Sequence, residues 1–373
     1  MIRKQRVFLG SIPASLLQLQ AGSLFDPSES KTTRRSLNAC LNLAANMAPV
    51  TKPDRTQQAL ERLSVLKTVA DDALVVKELK SFLAERSNLI VAKAAKIARE
   101  RGLPQLVPEL VGAFHKLMKD PQRLDKRCAA VTEIAMALYE MDYCEPDVYR
   151  QGLRHVQMET SFGPPIDVAA ALRGICAQGL VRTRYPQALE DVVSLLVDAE
   201  APARVGAVKA LTTNGGEAGA LALRLKALTG DRDVEVMAEC FTGLLSAGRD
   251  SAVDFVAAYA NSGDGEVSDA AILALGSSRL PKAIDLLKEE WRRTARGAIR
   301  KTLLLALATS RDEGAITFLL SLLDDGSMLI ASEVIAALAI HKNSEHIRQI
   351  VGQAIEQRGQ RALLDVFRRE FAA

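Results

Sequence analysis

Aromatic side chains are scarce in this 373-residue chain: ten Phe, five Tyr and one Trp make up 4% of it. A β-sandwich draws on aromatic and β-branched strands, so an apolar fraction of 48% carried mainly by Ala, Leu, Val and Ile points to close-packed helices. No uninterrupted apolar run reaches the roughly 18 residues of a membrane-spanning helix. Cysteine is also sparse. Cys40, Cys128, Cys144, Cys176 and Cys240 are odd in number and form no CxxC pair, so neither a disulfide framework nor a zinc knuckle is signalled. Four histidines are present, and His341 and His346 are five apart across a turn, the wrong spacing for an i, i+4 metal pair. No phosphate-binding GxxxxGK[ST] loop, dinucleotide GxGxxG turn or GxSxG nucleophile elbow occurs. These absences lead to the expectation of a chain with no enzymatic activity, no cofactor and no metal, in a reducing, cytoplasmic compartment.

Charge is balanced on average and uneven in place. The net charge is +3, yet residues 1–125 hold 20 Lys and Arg against 12 Asp and Glu. The start, Met1-Ile2-Arg3-Lys4-Gln5-Arg6 followed by Val7-Phe8-Leu9-Gly10, has the basic-then-apolar order of an export signal. Ser11, Pro13, Ser15, Gln18 and Gln20 dilute its apolar core and no A-x-A site follows, so the segment reads as a basic arm or docked helix.

What the chain does have is a repeat. A small residue followed by a large aliphatic one recurs at Ala210-Leu211, Gly243-Leu244, Ala274-Leu275, Ala306-Leu307 and Ala337-Leu338, at spacings of 33, 31, 32 and 31. Apolar residues stand three before each pair (Ala207, Cys240, Ala271, Leu303, Val334) and seven before it (Ala203, Val236, Val267, Ile299, Ile330), which makes one helical face. A second helix keeps the beat at Ala220-Leu221, Ala252-Val253, Ala283-Ile284, Ala315-Ile316 and His346-Ile347. Short turns separate the two, among them Gly248-Arg249-Asp250, Ser277-Ser278-Arg279-Leu280-Pro281 and Ser310-Arg311-Asp312.

These residues resemble the short HEAT-like repeat associated with phycobilisome lyases. The resemblance rests on Asp198…Ala203-Arg204-x-x-Ala207-x-x-Ala210-Leu211, a Gly turn, then Ala220-Leu221, and on the apolar-Arg step repeated at Ile299-Arg300. Met237, Ser268 and Ala331 replace that Arg elsewhere, so any ladder built on it is intermittent. The resemblance covers residues 198–360, is looser over 87–197, and is absent before about residue 55. It implies an all-α fold, an α-solenoid of stacked antiparallel helix pairs. Residues 1–53 read as a basic extension with one or two helices, 54–197 as longer, divergent repeats, 198–360 as regular repeats of about 32 residues, and 361–373 as a capping helix. Ser161-Phe162-Gly163-Pro164-Pro165 is the sharpest interruption, either a kink between subarrays or a packed surface loop. The His-Glu pairs of HEAT-like iron hydroxylases are missing.

Such a repeat implies a scaffold or adaptor that binds another protein, on a concave face expected to be lined by the second helices. Two other readings stand beside it. One is a chromophore-handling enzyme similar to the bilin lyases, on the resemblance alone. The other is nucleic-acid binding through the basic N-terminal third or through one cluster, Lys288, Trp291, Arg292, Arg293, Arg296, Arg300 and Lys301, which sets the single Trp among six cations. Such a group suits phosphate or a stacked base; the alternative is that the cations favour a helix C-terminus while Trp291 covers the next repeat. Arg173, Arg182 and Arg184 read as a lesser basic group on a loop surface.

Overall fold

The computed structural model describes residues 55–372 apart from 161, 162, 215, 295, 296 and 298; the N-terminal extension and Arg296 therefore lie outside the described residues. The apolar columns fold into antiparallel helix pairs, as the all-α reading expects. The first pairs are α1 (Arg55–Leu66) with α2 (Asp72–Leu83), and α3 (Asn88–Glu100) with α4 (Val107–Leu117). A short α5 (Pro121–Leu124) precedes α6 (Ala129–Glu140) and α7 (Pro146–Leu153), and α8 (Ala170–Arg182) pairs with α9 (Ala188–Ser194). The regular array follows as α10 (Ala201–Asn214) with α11 (Gly216–Thr229), α12 (Val234–Gly248) with α13 (Asp250–Ala257), and α14 (Gly265–Ser278) with α15 (Pro281–Arg293). It ends with α16 (Ile299–Ser310) and α17 (Glu313–Asp325), α18 (Met328–Leu338) and α19 (Glu345–Arg358), and a last helix, α20 (Arg361–Glu370), packed across α18 and α19. The described residues from 58 to 372 form one compact unit.

Local chemistry starts and stops these helices. Asp71, Asp233, Asp264, Asp312, Ser327 and Ser344 each accept a backbone N–H of the first turn that follows. Pro146 and Pro281 open α7 and α15, where a missing N–H costs nothing. The first helices of successive pairs, from α3 through α18, pack directly on one another. The small-aliphatic pairs lie in this layer and all are buried, from Ala210-Leu211 to Ala337-Leu338. Small residues there let backbones nearly touch. A Cβ on Gly174 would sit 2.7 Å from the Pro202 carbonyl oxygen, and one on Gly276 would overlap the carbonyl of Ala306. The aromatic deficit follows: a ring in this column would force the layers apart.

Of the interruption at 161–165, Gly163, Pro164 and Pro165 are described, and they are exposed between the strands of a hairpin, β1 (Met158–Glu159) and β2 (Ile166–Asp167), which pair antiparallel. One expectation changes: Arg173 is not on a loop surface. It lies in α8 at the apolar-Arg step, 4% exposed at the side chain, and binds Asp198 through Nε and Nη2 at 2.9 Å each, and Asp167 at 2.7 Å. Its Nη1 also donates to the His155 carbonyl. Arg173 thus staples the hairpin and the next repeat to one helix. Burial alone would lift the Asp167 carboxyl, but backbone N–H groups and Arg173 more than offset this and hold it below the usual range.

Candidate functional site

The same step recurs one repeat on. Arg204 in α10 meets Asp231, in the loop before α12, at 2.8 and 2.7 Å, and Lys226 adds a second cation to that carboxylate at 2.7 Å. Burial pushes the Asp231 carboxyl up, but the bonds from Arg204 and Lys226 prevail and bring it from 3.8 down to about 2. These buried charges are saturated by one another, which is the arrangement of a joint rather than of a reactive group. At the third step, Arg300 does something else: its guanidinium lies 3.8 Å from the centroid of the Trp291 ring.

That contact decides the fate of the cluster around the single Trp. Trp291 is 4% exposed and belongs to the core, so its faces are not open to a base or a partner's ring; the reading of it as a stacking residue is corrected. The reason is amphipathicity, since α15 turns Ala283, Ile284, Leu287 and Trp291 inward along one face. The remaining described cations divide. Lys288, Arg292 and Arg293 share an open recess with Asp285 and Glu289. Arg293 is paired to Glu289 at 2.6 Å, Arg292 lies 5.4 Å from the Phe318 ring centroid, and Lys301 reaches Glu333 at 3.7 Å. Acidic neighbours thus offset much of the charge that the sequence places there.

The structure also turns one apolar column outward. In α11 the buried positions are Gly219, Leu223 and Ala227, not Leu221. Gly219 accounts for the rotation, because a Cβ there would sit 2.7 Å from the Leu211 carbonyl oxygen, and only glycine lets α11 lie so close against α10. Leu221, Leu225 and Leu228 therefore face solvent at 62%, 63% and 64% exposure, spaced i, i+4, i+7. Val193 and Val197 of the preceding repeat are exposed as well. α11 packs mainly on α10 and α12, and it is held in this orientation by Arg224 over the Phe255 ring at 4.0 Å and by Tyr259 donating to the Ala227 carbonyl. Helical periodicity alone does not reveal this lane, because Leu221 fits the buried column of its repeat; Gly219 was the signal.

Among the described residues no group of His, Cys, Asp and Glu is placed to hold a metal ion, and no helix is long and apolar enough to cross a membrane. Comparison with curated proteins gives no match. Residues 221–307, from the outward leucines into α16, match the family model of HEAT repeats. With helix pairs of the same build on either side of that segment, the described residues form an all-α solenoid, consistent with a HEAT-like repeat protein.

Proposed function

We propose that the chain is a non-enzymatic scaffold or adaptor that binds another protein on its second-helix face, with the leucine lane of α11 as the apolar centre. The observation that carries this reading is the exposure of Leu221, Leu225 and Leu228 along one helical stripe. Isolated exposed leucines are ordinary on protein surfaces, but three in register present the spacing that an amphipathic helix of a partner engages. Lys288, Arg292 and Arg293 supply a polar area on the second helix of a later repeat. The family match supports a helical scaffold of a kind that commonly binds proteins. The test is a mass-spectrometric comparison of proteins retained by the tagged full chain and by a Leu221→Ser, Leu225→Ser, Leu228→Ser variant. A set of proteins lost only from the variant, with its circular dichroism melt unchanged, is the expected result. Retention of the same set by both would refute the lane as the contact surface.

A further inference from the structure

The turns joining first to second helices share a costly feature. The chain takes a positive φ at Arg184 (56°), Arg249 (45°), Arg279 (55°) and Arg311 (55°), the same place in each repeat where Gly102 and Gly216 serve elsewhere. Reversal between antiparallel helices asks for such a residue just past the first helix, and glycine supplies it without strain. An L residue with a Cβ is disfavoured there, so four arginines on glycine's ground need another reason. A cation at a helix C-terminus gains from the macrodipole, but a neighbouring position with ordinary φ would gain the same.

The turns hold the arginines in a common way. The Arg249, Arg279 and Arg311 N–H groups donate back to Leu245, Gly276 and Ala308 carbonyls. The preceding hydroxyl closes the other side: Ser278 donates to the Leu275 carbonyl and accepts from Leu280 N–H, and Ser310 does the same with Leu307 and Asp312. Thr183 repeats the device before Arg184, with Leu180 and Tyr185. The arginines are exposed, and among the described residues none of the four side chains enters an ion pair, hydrogen bond or cation–π contact. Most of the other described arginines are engaged, as Arg173, Arg204, Arg224 and Arg300 are. Asp250 and Asp312, which follow two of them, sit at the starts of α13 and α17, where helix N-termini take up their charge.

Arg249, Arg279 and Arg311 stand on consecutive repeats, since α12 packs on α14 and α14 on α16. Arg249 and Arg279 line one cleft of about 500 Å³ with Ser246, Ser277 and Ser278. Arg311 lines a second, of about 450 Å³, with Asn343 and Ser344. Packed helices lie about 8–10 Å apart. A polyproline II chain rises about 3.1 Å per residue with three residues per turn, so every third side chain returns to one face after about 9 Å. We infer that the edge bearing Arg249, Arg279 and Arg311 binds an extended acidic peptide with a carboxylate at every third residue, each held by one guanidinium, with Ser246 and Ser277 in the first cleft and Ser344 in the second as further hydroxyl donors.

This inference does not rest on the leucine lane, and its variants lie on the turns rather than on α11, so the two readings fail separately. The experiment is fluorescence polarisation of the full chain with a labelled peptide carrying Glu at every third position between Ser and Pro. The comparison probes are an isomer with its Glu residues grouped and an oligothymidylate of equal charge. Arg249→Gly, Arg279→Gly, Arg311→Gly together relieve the backbone strain, so the variant keeps or raises its thermal midpoint. It is expected to lose the peptide, with affinity down by about tenfold or more. Arg279→Glu alone is expected to weaken the same peptide. The inference is overturned if the triple variant binds the peptide as the parent does, if the grouped isomer binds equally well, or if the oligothymidylate binds more tightly.

Discussion

Arg204 and Asp231 join two repeats through a two-pronged bond, with Nε to Oδ2 at 2.8 Å and Nη2 to Oδ1 at 2.7 Å, both side chains 5% exposed or less. Removing the carboxylate leaves two buried cations, Arg204 and Lys226, uncompensated. Asp231→Asn is therefore expected to destabilise the array by about 3–5 kcal/mol. Arg204→Met should cost less, because Lys226 still pairs with the Asp231 charge. Urea unfolding followed by circular dichroism measures both, and a near-neutral Asp231→Asn would remove the joint from the account of stability.

The same pair sets an acid limit. The Asp231 carboxyl falls from 3.8 to about 2 on folding, so its contribution is fully present above about pH 4 and is lost as pH falls through about 2. Thermal midpoints measured across that window should decline more steeply in the parent than in Asp231→Asn. Parallel curves would contradict the assignment.

Two glycines separate close approach from open space. Gly276→Ala places a methyl group into the Ala306 carbonyl and should cost about 1–3 kcal/mol or more by prising α14 from α16. Gly352, inside α19, has nothing within 4 Å of where its Cβ would be, so Gly352→Ala should stabilise by about 0.5–1 kcal/mol through helix propensity. Differential scanning calorimetry should therefore shift the two midpoints in opposite directions.

Trp291 serves the core. Its emission should be blue-shifted and slow to quench with acrylamide, and Trp291→Ala should destabilise by about 3–5 kcal/mol. A fully stable Trp291→Ala protein that had only lost a ligand would reinstate the ring as a binding residue.

The thiols give a probe of packing. Cys128, Cys176 and Cys240 are buried and Cys144 is exposed. Burial pushes the Cys128 and Cys240 thiols up to about 12 and raises Cys176 also, so none of the three is a nucleophile at neutral pH. In a Cys40→Ser background, Ellman's reagent should titrate Cys144 promptly and the others only on unfolding. Rapid reaction of more than one thiol would show the array to be looser than described.

Much of the fold is legible along the chain because each first helix buries the same columns, and a column every 31 to 33 residues is a one-dimensional signal. Gly248-Arg249, Ser278-Arg279 and Ser310-Arg311 are likewise readable as turns. Their positive φ angles are not, because arginine does not announce a conformation that glycine favours. Arg173 escaped for a different reason: its partner Asp198 is 25 residues away and the hairpin that supplies Asp167 has no counterpart in the other repeats.

The sequence by itself determined helix pairs, their period and the small column that stacks them, because local periodicity and side-chain volume suffice for that. Only the tertiary structure decided which faces remain outside. Gly219 lets α11 approach and rotate, which sends Leu221 to solvent, while the inward stripe of α15 and the cover of Arg300 draw Trp291 into the core. Both outcomes depend on how one helix seats against another, and a repeat period carries no record of that rotation.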